Sequence, residues 1–339
     1  MNRPHSVSHP RRLPLATVLL ASLAITILAS CSLSSQSIST PSNRYALVIG
    51  VQDYPDSEHK NLDLNYTDDD AAELADSLTE QGWTVSTRLI STSDAGIDTD
   101  GSPTYANIKA AVEALSTDSN ATILVYFSGH GATDDGTPYI IPYDGLTTSE
   151  QYYPGYGYYQ DSDITKWITP VTLRSWMDAV PAKNRVLILD SCYSGGFTED
   201  ANAVDTSPDD YSQALGTTSE TSTLFAALSN FNNLLAANLS SLGTRDVVAL
   251  SAAGSDEVSW DDNTSGHGAF TNYLLKAAAA GDADGDGYVT VAEAYSYAKA
   301  KIKANWNTDY NQSWYRTEWD FLPHISGGTG DIALYAPDN

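Results

Sequence analysis

Two stretches of one design constrain the fold of this chain more than anything else in it. Residues 121–132 read ATILVYFSGHGA and residues 186–197 read VLILDSCYSGGF, each a short apolar run that breaks into Ser, Gly and one reactive side chain. Continuous apolar runs of this length are buried strands, and strands buried on both faces belong to a parallel sheet covered by helices. The first run leads to His130 and the second to Cys192. If the two strands are neighbours, both residues reach the carboxyl edge of the sheet, where open α/β folds place their ligand sites. A thiol beside an imidazole there is a nucleophile with its base.

The rest of the chain supplies matching elements. Residues 45–50, YALVIG, form a first buried strand. Thr67-Asp68-Asp69-Asp70 then opens an apolar-periodic helix that stops near Gly82, with acids in the first turn where the helix dipole favours them. Strands follow at 84–90, 121–127 and 246–252, and helices at 105–115, 172–180 and 268–280. This alternation predicts an α/β domain with a mainly parallel sheet and right-handed crossovers. Two segments interrupt it. Residues 151–160, QYYPGYGYYQ, read as a surface loop or as a wall of a substrate cleft, too rich in Tyr, Gly and Pro for a regular element. Residues 198–244 hold no Lys or Arg and read as a linker or insertion with one helical stretch at 224–237.

Composition narrows the partners. With 43 acidic and 17 basic residues the formal charge is −26, which argues against nucleic acid and favours divalent cations. Arg3, Arg11 and Arg12 precede an apolar run over 13–28, the pattern of a targeting segment. Leu28-Ala29-Ser30-Cys31 resembles the bacterial lipobox, in which cleavage before the cysteine leaves that cysteine lipidated; a plain cleaved signal or an uncleaved anchor is the alternative. On this reading residues 1–30 are a lipoprotein signal and Ser-rich residues 31–43 a tether. The protein is then expected in a bacterial cell envelope, held to the membrane through Cys31 and facing periplasm or exterior. The chain has two cysteines, so with Cys31 taken Cys192 lacks a disulfide partner. A lone cysteine is often a small buried hydrophobe, but its Asp, Ser and Gly surroundings and the matching histidine point to chemistry.

YALVIG, Asp70-Ala71, SGHG at 128–131 and DSCYSG at 190–195 occur in that order, followed by Ser251-Ala252-Ala253, Glu257 and His267-Gly268-Ala269-Phe270-Thr271. In these motifs the chain, over about residues 44–303, resembles the caspase-like cysteine peptidases, in particular the bacterial relatives of metacaspases. The resemblance implies a caspase-like α/β/α sandwich with a mainly parallel central sheet. It also implies a catalytic region at 44–197 and a small-subunit-like region at 245–339, joined by the 198–244 linker. It makes Cys192 the nucleophile, His130 the general base or acid, and the backbone N–H groups of Gly131 and Cys192 the oxyanion hole. Asp70, Ser128 and Asp190 become a pocket for Arg or Lys before the scissile bond of a protein or peptide substrate. The chemistry concurs: an imidazolium stabilises a thiolate, an oxyanion needs donors already in place, and two carboxylates suit a basic side chain. The bland alternative is that Asp70 merely favours its helix start and Asp190 bonds nearby backbone. The chain departs from the metacaspase pattern at Tyr193, where His is usual, and at Thr67, where Cys is common, which bears on fine specificity. A legumain- or clostripain-like specificity on the same fold, or a catalytically silent calcium-binding surface lipoprotein, are the alternatives.

A separate motif lies at 282–293, DADGDGYVTVAE. Asp282, Asp284 and Asp286 fill positions 1, 3 and 5 of an EF-hand loop, Gly287 position 6, Tyr288 position 7, Thr290 position 9 and Glu293 position 12. With helical sequence on both sides, the expected ligand is Ca2+. Asp144, Asp161 and Asp163 are candidates for a second calcium site nearer the catalytic edge. A basic specificity also has a consequence for the linker, which offers no residue to cut. The nearest basic residues are Arg185 and Arg245, so the chain is expected to be active unprocessed.

Overall fold

The structure, a computed structural model, describes residues 43–134, 137–193, 246–252, 259–306, 323–327 and 330–336. Cys31, the 198–244 linker, Arg245 and Glu257 lie outside the described residues. In chain order the elements are β1 (Arg44–Val51), α1 (Thr67–Glu80), β2 (Thr84–Ser91), α2 (Tyr105–Glu113), β3 (Thr122–Asp134) and β4 (Thr137–Ile140). Then come β5 (Leu146–Tyr153), β6 (Gly157–Ser162), α3 (Pro170–Ala179), β7 (Asn184–Tyr193) and β8 (Asp246–Ser251). Short strands β9 (Asp261–Asp262) and β10 (His267–Gly268) lead into α4 (Ala269–Ala280), and β11 (Val289–Thr290) into α5 (Val291–Asn305). β12 (His324–Gly327) and β13 (Ala333–Tyr335) close the chain.

The main sheet has the order β12-β8-β7-β3-β1-β2, with β4 on the far part of β3. Strands β2, β1, β3, β7 and β8 are parallel, and β12 and β4 are antiparallel additions. Because side chains alternate along a strand, each apolar run supplies both faces. Ala46, Val48, Leu124, Tyr126, Val186, Ile188, Val248 and Leu250 pack with residues of α1, α4 and α5. Leu47, Ile49, Ile123, Val125, Phe127, Leu187, Leu189 and Ala249 pack with residues of α2 and α3 on the other side. The result is the expected three-layer α/β/α sandwich. Among the described residues no helix is long and apolar enough to cross a membrane.

Local chemistry sets the helix ends. Thr104, Thr169 and Thr290 cap α2, α3 and α5 through their hydroxyls, and Pro170 opens α3 where its missing N–H costs nothing. At the other end of α3, Arg185 donates to the carbonyls of Met177, Val180 and Ala182 at 3.0, 2.7 and 3.1 Å. That cage compensates a guanidinium that is only 1% exposed, so Arg185 is no substrate for self-cleavage in the folded protein.

The structure corrects two expectations. β3 does not stop at Phe127 but runs on to Asp134, and β7 carries Cys192 within it and ends at Tyr193. β1 pairs up to Gly50 opposite Ser128 and β8 up to Ser251 opposite Leu189, but β3 and β7 continue together to Gly131 opposite Tyr193. Gly and Ser end a strand only where main-chain partners run out, and here each strand still has the other, with β4 continuing the ladder from Gly131 opposite Ile140. The second correction is at 151–160, read as irregular. It forms the antiparallel hairpin β5–β6, with Gly155 and Gly157 at φ of 89° and 90° in and beside its turn. Tyr152 packs on Tyr158 and Tyr153 on Tyr159 with centroids 5.0 and 5.4 Å apart, the cross-strand aromatic pairs that favour a two-stranded ribbon.

Candidate active site

The parallel register of β3 and β7 sets His130 directly against Cys192, in the extension beyond the body of the sheet. His130 is buried, at 1% exposure. Its Nε2 lies 2.7 Å from the Leu62 carbonyl, which can only accept, so Nε2 carries the proton and Nδ1 is the basic nitrogen of the neutral ring. The backbone is held as firmly. The His130 N–H donates to the Tyr54 hydroxyl at 2.9 Å, that hydroxyl donates to the Ile141 carbonyl at 2.9 Å, and Ile141 N–H returns to the His130 carbonyl at 3.0 Å. Burial keeps the Tyr54 phenol protonated and therefore able to donate.

Tyr54 and Leu62 belong to the connection between β1 and α1, a segment sequence reasoning passed over. It is closed on itself by Leu64 N–H to the Gln52 carbonyl at 3.0 Å and Tyr54 N–H to Asp63 Oδ1 at 2.8 Å. The contact that matters is a backbone carbonyl, which leaves no trace in side-chain identity. Burial also pushes the His130 imidazole down to about 4, against smaller opposing effects from Leu62 and Asp63. That direction favours the neutral ring near pH 7.

Two residues back along the same strands lies the acidic group. Ser128 stands opposite Gly50 on β1 and Asp190 on β7, and Asp70 reaches them from the first turn of α1. All three are buried. Ser128 Oγ is 3.5 Å from Asp70 Oδ2, a weak contact. Asp70 accepts from His267 Nδ1 at 2.9 Å and from Gly268 N–H at 3.1 and 3.2 Å. Asp190 accepts from Ser259 Oγ at 2.7 Å, and from the N–H and hydroxyl of Thr271 at 3.2 and 2.6 Å. Gly268 sits between the acids: a Cβ there would lie 2.8 Å from Asp190 Oδ2 and 2.9 Å from Asp70 Oδ2. Only glycine lets the chain pass between them.

So the structure gathers Asp70, Ser128 and Asp190 as expected, and adds His267, Ser259 and Thr271 as their partners. His267-Gly268 and Thr271 stood in a recognised motif, but a motif does not say which acid each serves. Burial raises the Asp70 carboxyl to about 8 and raises Asp190 as well. The Asp70 hydrogen bond raises the His267 imidazole. Burial also lifts Asp261, on β9, to about 6.

At 282–293 the chain forms helix, loop and helix, α4 and α5 flanking the loop. The carboxylates of Asp282, Asp284 and Glu293 lie within 4.8 Å of one another, and Gly287 takes the positive φ, 92°, that position 6 demands. Asp282 accepts from the N–H groups of Gly285 and Gly287 at 2.7 and 3.0 Å, wrapping the loop around its first ligand position. Asp286 turns to the Tyr288 N–H at 2.8 Å, and Thr290 caps α5 in a reciprocal box with Glu293. The donor set fits a hard cation.

The second expected site does not assemble. Asp144 accepts from Tyr105 N–H at 2.7 Å, Asp161 from Gln151 at 3.2 Å, and Asp163 caps a short turn through Thr165. Each is engaged in its own local structure. Among the described residues, the other group with metal-ligand spacing is Glu58, His59 and Glu150.

Residues 43–315 match the model of the caspase domain family. Among solved structures, a protein of Geobacter sulfurreducens is similar at 15% identity and a TM-score of 0.48, over 87% of this chain and 99% of its own. Caspase-1 of Spodoptera frugiperda is similar at 12% identity and a TM-score of 0.49, over 89% of this chain and 93% of its own. No curated protein matches the chain. Since that match spans most of the chain, including His130 and Cys192, the chain belongs to the caspase-domain family of cysteine peptidases.

Proposed function

We propose that the protein is a cysteine endopeptidase that cleaves after Arg or Lys through a Cys192–His130 dyad. The observation that carries this reading is the register of His130 against Cys192, with Nε2 tied to Leu62 so that Nδ1 is the base. His130 Nδ1 takes the Cys192 thiol proton as sulfur attacks the scissile carbonyl. The carbonyl π pair moves to oxygen, which the N–H groups of Gly131 and Cys192 receive. Collapse breaks the C–N bond, and the imidazolium returns its proton to the departing amine. Water, deprotonated by the same nitrogen, then frees the acyl group and restores the thiol. Asp70 and Asp190 supply the negative charge for a basic side chain before the cut bond, by charge-assisted hydrogen bonds.

A set of peptides differing only in that side chain tests the reading. Arg and Lys peptides should be cleaved at least about a hundredfold faster than the Asp peptide, since an acid entering beside Asp70 and Asp190 meets like charge. Faster cleavage of the Asp peptide would overturn the specificity. Failure of a thiol-directed peptidyl inhibitor to label Cys192 would overturn the mechanism.

We also propose that the 282–293 loop holds Ca2+, through the carboxylates of Asp282, Asp284 and Glu293, with Asp286, Tyr288 and Thr290 completing the loop positions. Bound calcium would neutralise the clustered acids and fix α4 relative to α5. At a hundredfold excess over Kd, a ligand that binds only the folded state adds about 2.7 kcal/mol. Thermal melts should therefore rise with calcium in wild type and not in Glu293→Ala. Equal responses of the two would exclude this loop.

A further inference from the structure

The acidic pocket contains a base that the proposed reaction does not use. His267 is buried at 7% exposure, directly before α4, with its Nδ1 on Asp70 Oδ1 at 2.9 Å and its Nε2 on Glu73 Oε2 at 3.1 Å. Both ring nitrogens thus face carboxylates. Asp70 is so arranged that His267 takes one oxygen, Oδ1, while Oδ2 lies toward Gly268 and, across it, Asp190. The imidazole backs the carboxylate from behind and leaves its other oxygen on the side of the second acid.

This placement answers a problem in the pocket's electrostatics. Two buried carboxylates flanking one glycine repel each other, and burial pushes the Asp70 carboxyl up to about 8 even with His267 opposing it, and raises Asp190 as well. A protonated acid is a poor receiver for a guanidinium. The charged and titratable groups around the ring are Asp69, Asp70 and Glu73 from α1, Asp190 from β7, and Asp261 and Asp262 from β9, whose Asp262 pairs with His267 through the backbone. All are acids, so the one cationic group among them is the imidazolium itself. We propose that His267 is a positioning residue for the pocket, an imidazolium that orients Asp70 and eases its ionisation when a basic substrate side chain arrives. This rests on the proposed preference for Arg or Lys.

The test uses the full chain and two peptides, one with arginine before the cut bond and one with citrulline, its neutral isostere. In His267→Asn, Asp70 loses the two lowering effects of the imidazole and holds its proton to higher pH than in wild type. Each pH unit by which its pKa then exceeds the working pH removes tenfold of the ionised pocket. KM for the arginine peptide should therefore rise about tenfold at pH 7 and recover by pH 9.5, while the citrulline peptide shows no such recovery. Wild type should show the same recovery at lower pH, since its Asp70 carboxyl lies near 8. Glu73→Gln, at an exposed residue that loosens only the outer contact, should give a smaller rise in the same direction. A double variant, His267→Asn with Asp70→Asn, should lose the pH recovery altogether.

A merely structural role would raise KM for both peptides without recovery at high pH, which would overturn the inference. So would a lower or unchanged KM for arginine in His267→Asn. If wild type itself fails to distinguish arginine from citrulline, it is the basic-pocket reading that falls, and wild-type data alone reveal it.

Discussion

His130→Ala is expected to cut peptide hydrolysis by about 10²–10⁴-fold, the range for losing a positioned general base, and Cys192→Ala to abolish it. The two should differ in stability. His130 is buried at 1% exposure and donates to the Leu62 carbonyl, so its removal opens a cavity and leaves a buried acceptor unmet, at a cost of about 1–3 kcal/mol. That cost should depend on pH. Burial holds the folded-state pKa of His130 near 4, below the ordinary 6.5 of an exposed imidazole, so the neutral ring contributes fully above 6.5. As pH falls from 6.5 toward 4, the unfolded chain binds a proton that the folded chain refuses, and about 3 kcal/mol of stability is lost. The alanine variant lacks this proton linkage. Denaturation at pH 7 and at pH 4.5 should show the gap between wild type and His130→Ala narrowing in acid. A gap that stays constant would mean that the ring is not buried neutral. Turnover by purified Cys192→Ala would remove the mechanism itself.

What was legible in the sequence was what local pattern encodes. The apolar runs at 121–127 and 186–189 announced strands buried on both faces, and their alternation duly feeds two helical layers. The order of SGHG and DSCYSG along the chain announced their meeting, because parallel neighbours end at the same edge. Register was beyond reach: nothing in the letters says that His130 lies opposite Cys192 rather than Ser191. Nor could sequence expose Leu62, which acts through a carbonyl that every residue possesses. The hairpin at 151–160 is hidden in the sequence because Gly and Pro read as breakers there, whereas the tyrosines, strong strand formers, pair across the ribbon. The acids fall between. Their bland explanation, helix start and local bonding, describes real contacts, since Asp190 does anchor α4 and Asp70 does receive Gly268. A structural duty and a binding duty can reside in the same carboxylate, and only measurement separates them.

Asp190→Asn makes that separation. Its carboxylate accepts from Ser259 Oγ and from both the N–H and the hydroxyl of Thr271, within the first turn of α4, where an anion also meets the helix dipole. The asparagine carbonyl can replace one acceptor, but its NH2 turns donors toward donors, so a loss of about 1–3 kcal/mol in stability is expected from the structural duty alone. If the binding duty is real, a second and larger effect follows. A guanidinium buried against a pocket deprived of one charge costs about 3–5 kcal/mol, the range for breaking one side of a buried pair, equivalent to roughly 10²–10⁴-fold in kcat/KM. The loss should fall on the arginine peptide and spare the citrulline peptide, because the neutral side chain never drew on that charge. Calorimetric melts and the two peptides, measured on the same preparation, give both quantities. A fall in melting temperature with arginine cleavage within threefold of wild type would reduce Asp190 to an anchor for α4 and remove it from the substrate pocket. A parallel loss for arginine and citrulline would point to a displaced catalytic edge, two residues along β7 from Asp190, and not to lost charge.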